Sequence, residues 1–281
     1  MNLLSPTIIK GLLAKYETRP SKGLGQNFLI DARVLEKIIE ASDIKNTDVI
    51  LEVGPGVGTL TQELAKKAGQ VIAIEKDETM VKILNEVLAV QNVKNVKIVN
   101  DDILKIEKLE KFKNYKVIAN IPYYLTSPLI RKFLEAEKQP DFMVLMIQKE
   151  VAQRICALPN AQGKQKMSLL AVSVQFYADA KIISYVSKNC FYPAPKIDSA
   201  IIKITPHINN DRGGVSPDLF FKIVKAGFSH PRKQLGSNLS GALKLDRSQT
   251  EKWLLDNNIK PIQRAETLSV GDWIKLASSL F

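Results

Sequence analysis

Hydrophobic residues in the first 205 positions concentrate in short β-rich runs, and helical patterns separate the first five of these runs. Seven runs predict strands, namely Val49–Val53, Val71–Ile74, Val96–Val99, Lys116–Ala119, Phe142–Ile147, Lys181–Val186 and Ala200–Ile204. Alternating strands and helices over this length are typical of a doubly wound, mostly parallel sheet. The last two runs have no clear helix between them, so we expect them to complete the sheet as antiparallel strands.

Capping residues and one proline mark the helix starts. Asp31 and Asp77 each precede a run with apolar residues on one face, which predicts that both carboxylates cap helices. Pro128 follows Thr126 and Ser127, and its missing N–H predicts the first position of a helix.

The pattern changes after Ile204. The stretch from Thr205 to Ser216 is polar and contains a proline and two glycines, which indicates a linker. Ser216 and Pro217 then predict the start of a helix. Further helices are predicted at Gln234–Leu243, Gln249–Asn257 and Val270–Leu280. We therefore expect a catalytic domain over residues 1–205 and a small helical domain over residues 206–281.

A strong positive charge is the main feature of the composition. The 281 residues include 40 Lys and Arg against 29 Asp and Glu, which gives a net charge of +11 and a pI near 9.4. Such an excess favours a polyanionic partner, most often nucleic acid. A generally basic soluble protein is the alternative.

The few cysteines and histidines restrict the remaining chemistry. Cys156 and Cys190 are too few for a disulfide framework, and His207 and His230 form no metal-ligand cluster, so we expect no metal. The chain has no run of 18 apolar residues, and Met1–Tyr16 lacks the apolar centre of a signal peptide. We expect a cytoplasmic protein in a reducing compartment, with no membrane association.

A glycine loop joins the first predicted strand to a helix. Residues 52–61 have the sequence EVGPGVGTLT, whose G-x-G-x-G spacing matches neither the dinucleotide pattern G-x-G-x-x-G nor a phosphate loop. Gly54 and Gly56 would let the backbone approach a ligand closely. A plain strand–helix turn is the alternative.

Two carboxylates follow the next two strands. Glu75 ends the second strand, where an acid can accept hydrogen bonds from ribose hydroxyls. Asp102 follows the third strand, where it can accept from an adenine amine, although each acid alone could be a solvated turn residue. Together with the glycine loop they predict a site for an adenosine-bearing cofactor without a phosphate to bind. S-adenosylmethionine fits that description better than NAD.

The sequence Asn120-Ile121-Pro122-Tyr123, here called the NIPY motif, directly follows a predicted buried strand. The Asn120 oxygen and the Ile121 carbonyl, which Pro122 restrains, could accept both hydrogens of an exocyclic amine. Tyr123 could stack on the ring that carries the amine. Accepting both hydrogens would localise the nitrogen lone pair for attack. The alternative is a proline turn with Tyr123 in the core.

These features resemble the rRNA adenine dimethyltransferase family over nearly the whole chain, and its bacterial small-subunit branch in particular. The similar segments are Lys22–Leu29, here called the N-terminal motif, the glycine loop, the NIPY motif, Phe191–Ala200 and Arg264–Ser269. The resemblance implies a Rossmann-like class I methyltransferase fold and S-adenosylmethionine as cofactor. The implied cofactor contacts are Gln26, Asn27, Leu29, Gly54, Gly56, Glu75, Asp102 and Asn120. The implied catalytic residues are Asn120, Ile121, Pro122, Tyr123 and Phe191, whose ring would stack on the target base.

The resemblance also implies a substrate. The expected reaction is N6,N6-dimethylation of two adjacent adenosines in a hairpin loop near the 3′ end of 16S rRNA, within an assembling small subunit. Pro128 favours this branch over the antibiotic-resistance branch, which methylates 23S rRNA and is the alternative. Asp101 stands where the family commonly has glycine, and the register favours Asp102 at the cofactor adenine. A nicotinamide oxidoreductase and a non-catalytic assembly factor are the other classes considered, and we expect a monomer.

Basic residues are the expected RNA contacts. The segment from Lys203 to Phe281 has 12 Lys and Arg and 7 Asp and Glu, which predicts an RNA and ribosome platform. The candidate contacts are Lys22, Arg154, Lys164, Lys166, Arg232, Lys233, Arg247 and Arg264. The loop from Leu158 to Lys166 is predicted to be a flap near the active site.

Overall fold

The computed structural model describes residues 1–106, 114–158, 166–207 and 214–280. Its strands are β1 (Phe28–Leu29), β2 (Val49–Val53), β3 (Gln70–Glu75), β4 (Val96–Asn100), β5 (Tyr115–Asn120), β6 (Met143–Gln148), β7 (Ala178–Val186), β8 (Phe191–Tyr192) and β9 (Ser199–Pro206). Its α-helices are α1 (Pro6–Lys15), α2 (Ala32–Ala41), α3 (Thr59–Lys67), α4 (Glu78–Val90), α5 (Thr126–Leu134), α6 (Lys149–Ile155), α7 (Leu169–Tyr177), α8 (Pro217–Gly227), α9 (Leu235–Leu243), α10 (Arg247–Asp256) and α11 (Val270–Ser278). Lys164, most of the predicted flap and the middle of the predicted linker lie outside the described residues.

A seven-stranded sheet has the order β4-β3-β2-β5-β6-β9-β7. The strands from β4 to β6 pair in parallel, and β9 pairs antiparallel with β6 from Ser199 to Ile204. This confirms the predicted α/β class and its antiparallel finish. The strand order reverses at β2, which has β3 on one side and β5 on the other. Ligands of open α/β sheets bind at the carboxyl ends of the strands beside such a reversal.

All seven predicted strands are present, and the apolar runs of the central strands β2, β5 and β6 are buried on both faces. Ile50, Leu51, Val117 and Ile118 in the central strands are fully buried. The pairing of β1 with β8, in which Leu29 lies opposite Phe191, was not predicted. Two-residue strands are too short to produce a periodic pattern. In the described part of the link between β4 and β5, residues 101–106 and 114, there is no α-helix, although a helical pattern was predicted there.

The predicted aspartate caps are confirmed. Asp31 Oδ1 accepts from the N–H groups of Arg33 and Val34, at 2.9 and 3.1 Å. Asp77 likewise caps α4 by accepting from the first-turn N–H groups. Each carboxylate therefore satisfies donors that a helix leaves without intrahelical partners.

The predicted start of α5 at Pro128 is wrong. The helix begins at Thr126, directly after a 3₁₀ turn over Tyr123–Leu125, and Pro128 is its third residue. Proline is tolerated there because the N–H groups of the whole first turn lack intrahelical acceptors. The 3₁₀ turn starts the helical path earlier than the proline alone indicates.

The chain forms two compact units, Met1–Ala152 with Ala180–Pro206, and Gln153–Asp179 with His207–Phe281. The prediction divided the chain once, after residue 205. Aromatic packing accounts for the place of α7 in the second unit, where the Phe176 ring stacks on Phe220 with centroids 3.8 Å apart. Ser216 caps α8 by accepting from the Leu219 N–H at 3.2 Å, as predicted.

Candidate active site

One cleft of about 220 Å³ opens in the first unit, at the carboxyl ends of β2, β3 and β5. Its lining includes every residue that the sequence predicted for cofactor binding or catalysis: Gln26, Asn27, Leu29, Gly54, Gly56, Glu75, Asp102, Asn120, Ile121, Pro122, Tyr123 and Phe191. These residues come from separate segments of the chain, and the fold brings them together. Their chemical roles remain predictions.

The glycine loop adopts backbone angles that favour glycine. The φ angle is 68° at Gly54, 57° at Gly56 and 94° at Gly58. A β-carbon on Gly58 would lie 2.6 Å from Leu84 Cδ1, so a larger residue there would collide with α4. The loop thus brings Thr59 and the positive N-terminal end of α3 to the cleft.

Glu75 is a buried acid with two backbone donors. Its Oε2 accepts from the Gly56 N–H at 3.1 Å, and its Oε1 accepts from the Asp77 N–H at 2.9 Å. Burial raises the pKa of Glu75, and these hydrogen bonds oppose the shift. A carboxylate can accept about four hydrogen bonds, so Glu75 retains the capacity to bind a diol.

Asp101 and Asp102 both line the cleft, and Asp102 is the more firmly held. Asp102 Oδ2 lies 3.0 Å from Lys76 Nζ, and its Oδ1 accepts from the Leu104 N–H at 3.0 Å. The hydrogen bond from Lys76 is the main reason why the pKa of Asp102 lies below its ordinary value. Asp101 is exposed, and its carboxylate accepts from the Asp102 N–H at 2.7 Å.

The side chain of Asn120 is oriented by the N-terminal motif. Asn120 Nδ2 donates to the Asn27 carbonyl at 3.1 Å, and Asn27 Nδ2 donates to the Gly25 carbonyl at 3.0 Å. Because a carbonyl only accepts, the first contact determines which side-chain atom of Asn120 is the nitrogen. Within the described ranges nothing donates to Asn120 Oδ1, which can therefore accept from a ligand amine without turning.

The rest of the NIPY motif is held against its surroundings. The Ile121 N–H donates to the Met146 carbonyl of β6 at 3.1 Å. Gly25 has a φ of 62°, and a β-carbon there would lie 3.2 Å from Pro122 Cβ. Glycine at this position thus permits the N-terminal motif to lie directly against Pro122.

Two of the aromatic residues at the cleft, Tyr123 and Phe191, were predicted to stack on the target base. Tyr123 is half-buried, its hydroxyl lies 3.0 Å from Ser199 Oγ, and burial raises its pKa. Phe191 is 4% exposed and packs in the apolar core with Leu29, while also lining the cleft. Phe191 therefore belongs to the apolar core and also borders the space where a ligand would bind.

Gln26 lines the cleft, but its side chain is bonded to the protein. Its Nε2 donates to Asp77 Oδ2 at 2.8 Å, and its Oε1 accepts from the Ser21 N–H at 2.8 Å. These contacts tie the N-terminal motif to the start of α4. A direct contact between Gln26 and the cofactor remains a prediction.

Glu52 is a cleft residue whose importance the sequence analysis missed. Its side chain is 1% exposed, and no described residue forms a hydrogen bond to its Oε2. Burial raises the pKa of Glu52 to about 8. The Thr59 hydroxyl at the cleft is also buried, without a partner among the described residues. Buried polar atoms without partners at a cleft indicate that a ligand satisfies them. The available signal was a glutamate inside an apolar strand, directly before the glycine loop.

The predicted RNA contacts come from several segments of the chain. Lys22 is the exposed first residue of the N-terminal motif, and Arg232 and Lys233 are exposed between α8 and α9. Ion pairs of the predicted contacts include Lys166–Glu266, Arg264–Glu266 and Arg247–Glu251, at 3.0, 4.0 and 2.9 Å. Exposed pairs of this kind are weak, so these cations can exchange a carboxylate for a phosphate. Arg154 is also exposed, and contact of any of these residues with RNA remains a prediction.

Cys156 and Cys190 are free, and burial raises the pKa of Cys156 to about 11. Among the described residues no three His, Cys, Asp or Glu side chains are grouped to hold a metal ion. None of the described helices has the length and apolar character needed to cross a bilayer.

The chain matches the family model described as ribosomal RNA adenine dimethylase over residues 18–280. It belongs to this family. Among its relatives is ribosomal RNA small subunit methyltransferase A of Dehalococcoides mccartyi (strain CBDB1), 43% identical over 270 residues, which are 95% of this chain and 90% of the relative. The protein of the same name from Alkaliphilus oremlandii is 42% identical over 287 residues, covering 98% of this chain and 97% of the relative.

Two solved methyltransferase structures resemble this chain over most of its length. A dimethyladenosine transferase from Plasmodium falciparum has a TM-score of 0.72 and 27% identity, and the match covers 88% of this chain and 95% of that one. The 23S rRNA methyltransferase ErmE has a TM-score of 0.70 and 25% identity, and the match covers 90% of this chain and 98% of that one. The family and the methyltransferase fold predicted from the sequence are confirmed.

Proposed function

We propose that this dimethylase transfers methyl groups from S-adenosylmethionine to the exocyclic amines of two adjacent adenosines near the 3′ end of small-subunit rRNA. The observation that carries the proposal is the orientation of Asn120. Its Nδ2 donates to the Asn27 carbonyl at 3.1 Å, so its Oδ1 is the atom presented as an acceptor. Asn120 ends β5 and the Ile121 carbonyl follows it in the chain, so these two acceptors together would bind a planar base that carries an amine.

The NIPY motif supplies the chemistry on the side of the base. The lone pair of an adenine amine is delocalised into the ring, which makes the amine a poor nucleophile. Asn120 Oδ1 and the Ile121 carbonyl each accept one amine hydrogen, which favours a pyramidal nitrogen with a localised lone pair. Preorganised polar groups of this kind stabilise developing charge without reorienting during the reaction. The methylated nitrogen carries a positive charge that makes its protons acidic, so one proton leaves to water afterwards and no general base is required before the transfer.

Stacking holds the base in the cleft after it leaves the RNA stack. Tyr123 presents a half-buried ring, and Phe191 closes the cleft from the β1–β8 side. Each stacked ring contributes about 1–3 kcal/mol in single-stranded nucleic acid complexes. The hydrogen bond between Tyr123 and Ser199 keeps the tyrosine ring in place.

The remaining cleft residues suit S-adenosylmethionine. This cofactor supplies an electrophilic methyl group on a sulfonium when it is bound. Glu75 would accept from its ribose hydroxyls and Asp102 from its adenine amine. The unpaired Glu52 Oε2 would accept from its ammonium group. The glycine loop carries no phosphate-binding pattern, which disfavours NAD.

The relatives support the choice of RNA. Both relatives reported above carry the small-subunit name and match nearly the whole chain, whereas the fold is common to small-subunit and 23S enzymes. We assign Arg232 and Lys233, exposed between α8 and α9, to phosphate contacts of the second unit. An rRNA substrate also supports the expected cytoplasmic location, and we propose a monomer acting on an assembling small subunit.

The test is methylation of undermethylated small ribosomal subunits with labelled S-adenosylmethionine. Wild type is compared with Asn120→Ala and with Asn85→Ala, a matched change at an exposed asparagine of α4. We expect dimethyladenosine at two adjacent 16S positions from wild type and Asn85→Ala. Asn120→Ala should lose about 100-fold or more of the rate, the usual effect of removing one preorganised polar group.

Three other outcomes would change the assignment. Label in 23S rRNA would place the protein in the resistance branch. Binding of S-adenosylmethionine without transfer to either RNA would favour a non-catalytic assembly factor. Equal rates for Asn120→Ala and wild type would refute the role of the NIPY motif.

A further inference from the structure

The charges around the cleft are unequal. Its described lining contains four acids, Glu52, Glu75, Asp101 and Asp102, and a single cation, Lys76. Lys76 follows Glu75 directly at the end of β3, and its Nζ lies 3.0 Å from Asp102 Oδ2. The only positive side chain of this lining therefore contacts the acid that we assign to the cofactor adenine.

We propose that Lys76 is a positioning residue that holds the Asp102 carboxylate toward the adenine and thereby makes the cleft prefer a cofactor with a 6-amino group. This inference rests on the proposed function. It concerns how the cofactor is recognised, and no step of the methyl transfer depends on it.

The contacts of Asp102 show why a cation is needed. Its Oδ1 accepts from the Leu104 N–H at 3.0 Å, and its carbonyl accepts from the Lys105 N–H at 2.8 Å. These bonds hold the turn and one carboxylate oxygen, while Lys76 holds the other oxygen. Without Lys76, Oδ2 would lose its partner, and the side chain could rotate about the bonds that remain.

The neighbouring acids add an electrostatic reason. The Asp101 carboxylate accepts from the Asp102 N–H at 2.7 Å, so a like charge lies close to the Asp102 side chain. Repulsion between like charges favours rotation of the two side chains away from each other. Lys76 opposes this rotation, and its hydrogen bond holds the pKa of Asp102 below its ordinary value, so Asp102 is an acceptor with no donor.

An ionised Asp102 recognises a donor. Each carboxylate oxygen can accept about two hydrogen bonds, and each Asp102 oxygen already accepts one. One further lone pair on either oxygen can receive a hydrogen from the adenine amine. A purine with hydrogen in place of the amine offers no donor at this position and leaves the remaining lone pair without a partner, so it should bind less tightly.

The experiment measures binding of two ligands that lack the sulfonium charge, by calorimetry at pH 7. One ligand is S-adenosylhomocysteine, and the other is its analogue with hydrogen in place of the 6-amino group. The variants are Lys76→Met, Lys76→Arg, Asp102→Asn and the double variant Lys76→Met/Asp102→Asn. Lys66→Met is the matched control, because Lys66 is similarly exposed (62% against 56%) and pairs with Glu63 at 2.6 Å.

We expect wild type to prefer S-adenosylhomocysteine. Lys76→Met should lower the affinity for S-adenosylhomocysteine about two- to fivefold, the range of a single exposed ion pair, and leave the affinity for the analogue unchanged. Lys76→Arg and Lys66→Met should bind both ligands as wild type does. In the Asp102→Asn background, Lys76→Met should have no further effect.

The inference would be overturned if Lys76→Met lost the same affinity for both ligands, or if it lost as much affinity in the Asp102→Asn background as in wild type. In either case Lys76 would act without Asp102. Unchanged binding of S-adenosylhomocysteine by Lys76→Met would overturn the inference as well. Failure of wild type to bind either ligand would instead refute the proposed function. All variants change exposed or half-buried residues, and melting temperatures would confirm that they fold.

Discussion

Replacing Glu52 by glutamine removes a buried acid and preserves its size. Glu52 is 1% exposed, and burial raises its pKa to about 8 from the ordinary value of 4.5. Between these two pH values the unfolded chain releases the proton of Glu52, while the folded chain retains it. The unfolded state then binds fewer protons than the folded state, so stability must fall as the pH rises through this window.

The size of the effect follows from the two pKa values. Each pKa unit corresponds to about 1.4 kcal/mol, so complete ionisation of Glu52 costs the folded state about 5 kcal/mol. Between pH 5 and pH 7, Glu52 alone should lower the free energy of unfolding by about 2.5 kcal/mol. Glutamine at this position does not titrate, so the Glu52→Gln variant lacks this contribution.

Urea denaturation at pH 5, 6 and 7, without cofactor, measures the difference. Far-ultraviolet circular dichroism is the suitable signal, because both tryptophans, Trp253 and Trp273, lie in the second unit. The control is Glu63→Gln, a change on α3 at an acid that pairs with Lys66. The advantage of Glu52→Gln over wild type should grow by about 2.5 kcal/mol from pH 5 to pH 7, and that of Glu63→Gln should stay constant. Parallel curves for Glu52→Gln and wild type would refute the reasoning.

Changes at three further positions test the loop and the NIPY motif. Gly58→Ala should lower the free energy of unfolding in urea by about 1–3 kcal/mol, because φ is 94° and the new β-carbon would meet Leu84; an unchanged midpoint would contradict this. Tyr123→Phe keeps the ring and should retain most activity. Tyr123→Ala should lower the rate of methylation at low RNA concentration by about 5- to 150-fold, and equal rates for Tyr123→Ala and wild type would exclude stacking. Asn120→Asp should lower the methylation rate about 100-fold or more, because a carboxylate cannot donate to the Asn27 carbonyl. S-adenosylhomocysteine should still bind in calorimetry, and wild-type turnover would exclude the proposed orientation of Asn120.

Local chemistry made several features predictable from the sequence. The central strands are continuous apolar runs because both faces of the sheet are covered, and such runs are distinct without any partner. Asp31 and Asp77 cap helices through bonds to residues two and three positions away, so nothing distant is involved. The start of α5 was misplaced because a 3₁₀ turn, which proline spacing does not reveal, precedes it.

The candidate site was predictable in composition and much less so in its contacts. Parallel strands end at the same edge of a sheet, so polar residues after β2, β3 and β5 had to lie near one another. The hydrogen-bond partners of these residues were not predictable in this way, because they lie far away in the sequence. The bond from Asn120 to Asn27 joins residues 93 positions apart, and the bond from Lys76 to Asp102 joins residues 26 positions apart.

The sequence by itself determined the seven strands of the main sheet, the aspartate caps and the types of residue at the cleft, because these depend on neighbours within a few positions. Only the tertiary structure decided that Gln153–Asp179 belongs to the second unit, since aromatic packing with α8 is non-local. It alone also decided that Oε2 of Glu52 lacks a described partner, that Asn120 presents its oxygen and that Lys76 holds Asp102. Burial, desolvation and hydrogen-bond direction depend on atoms that meet only after folding.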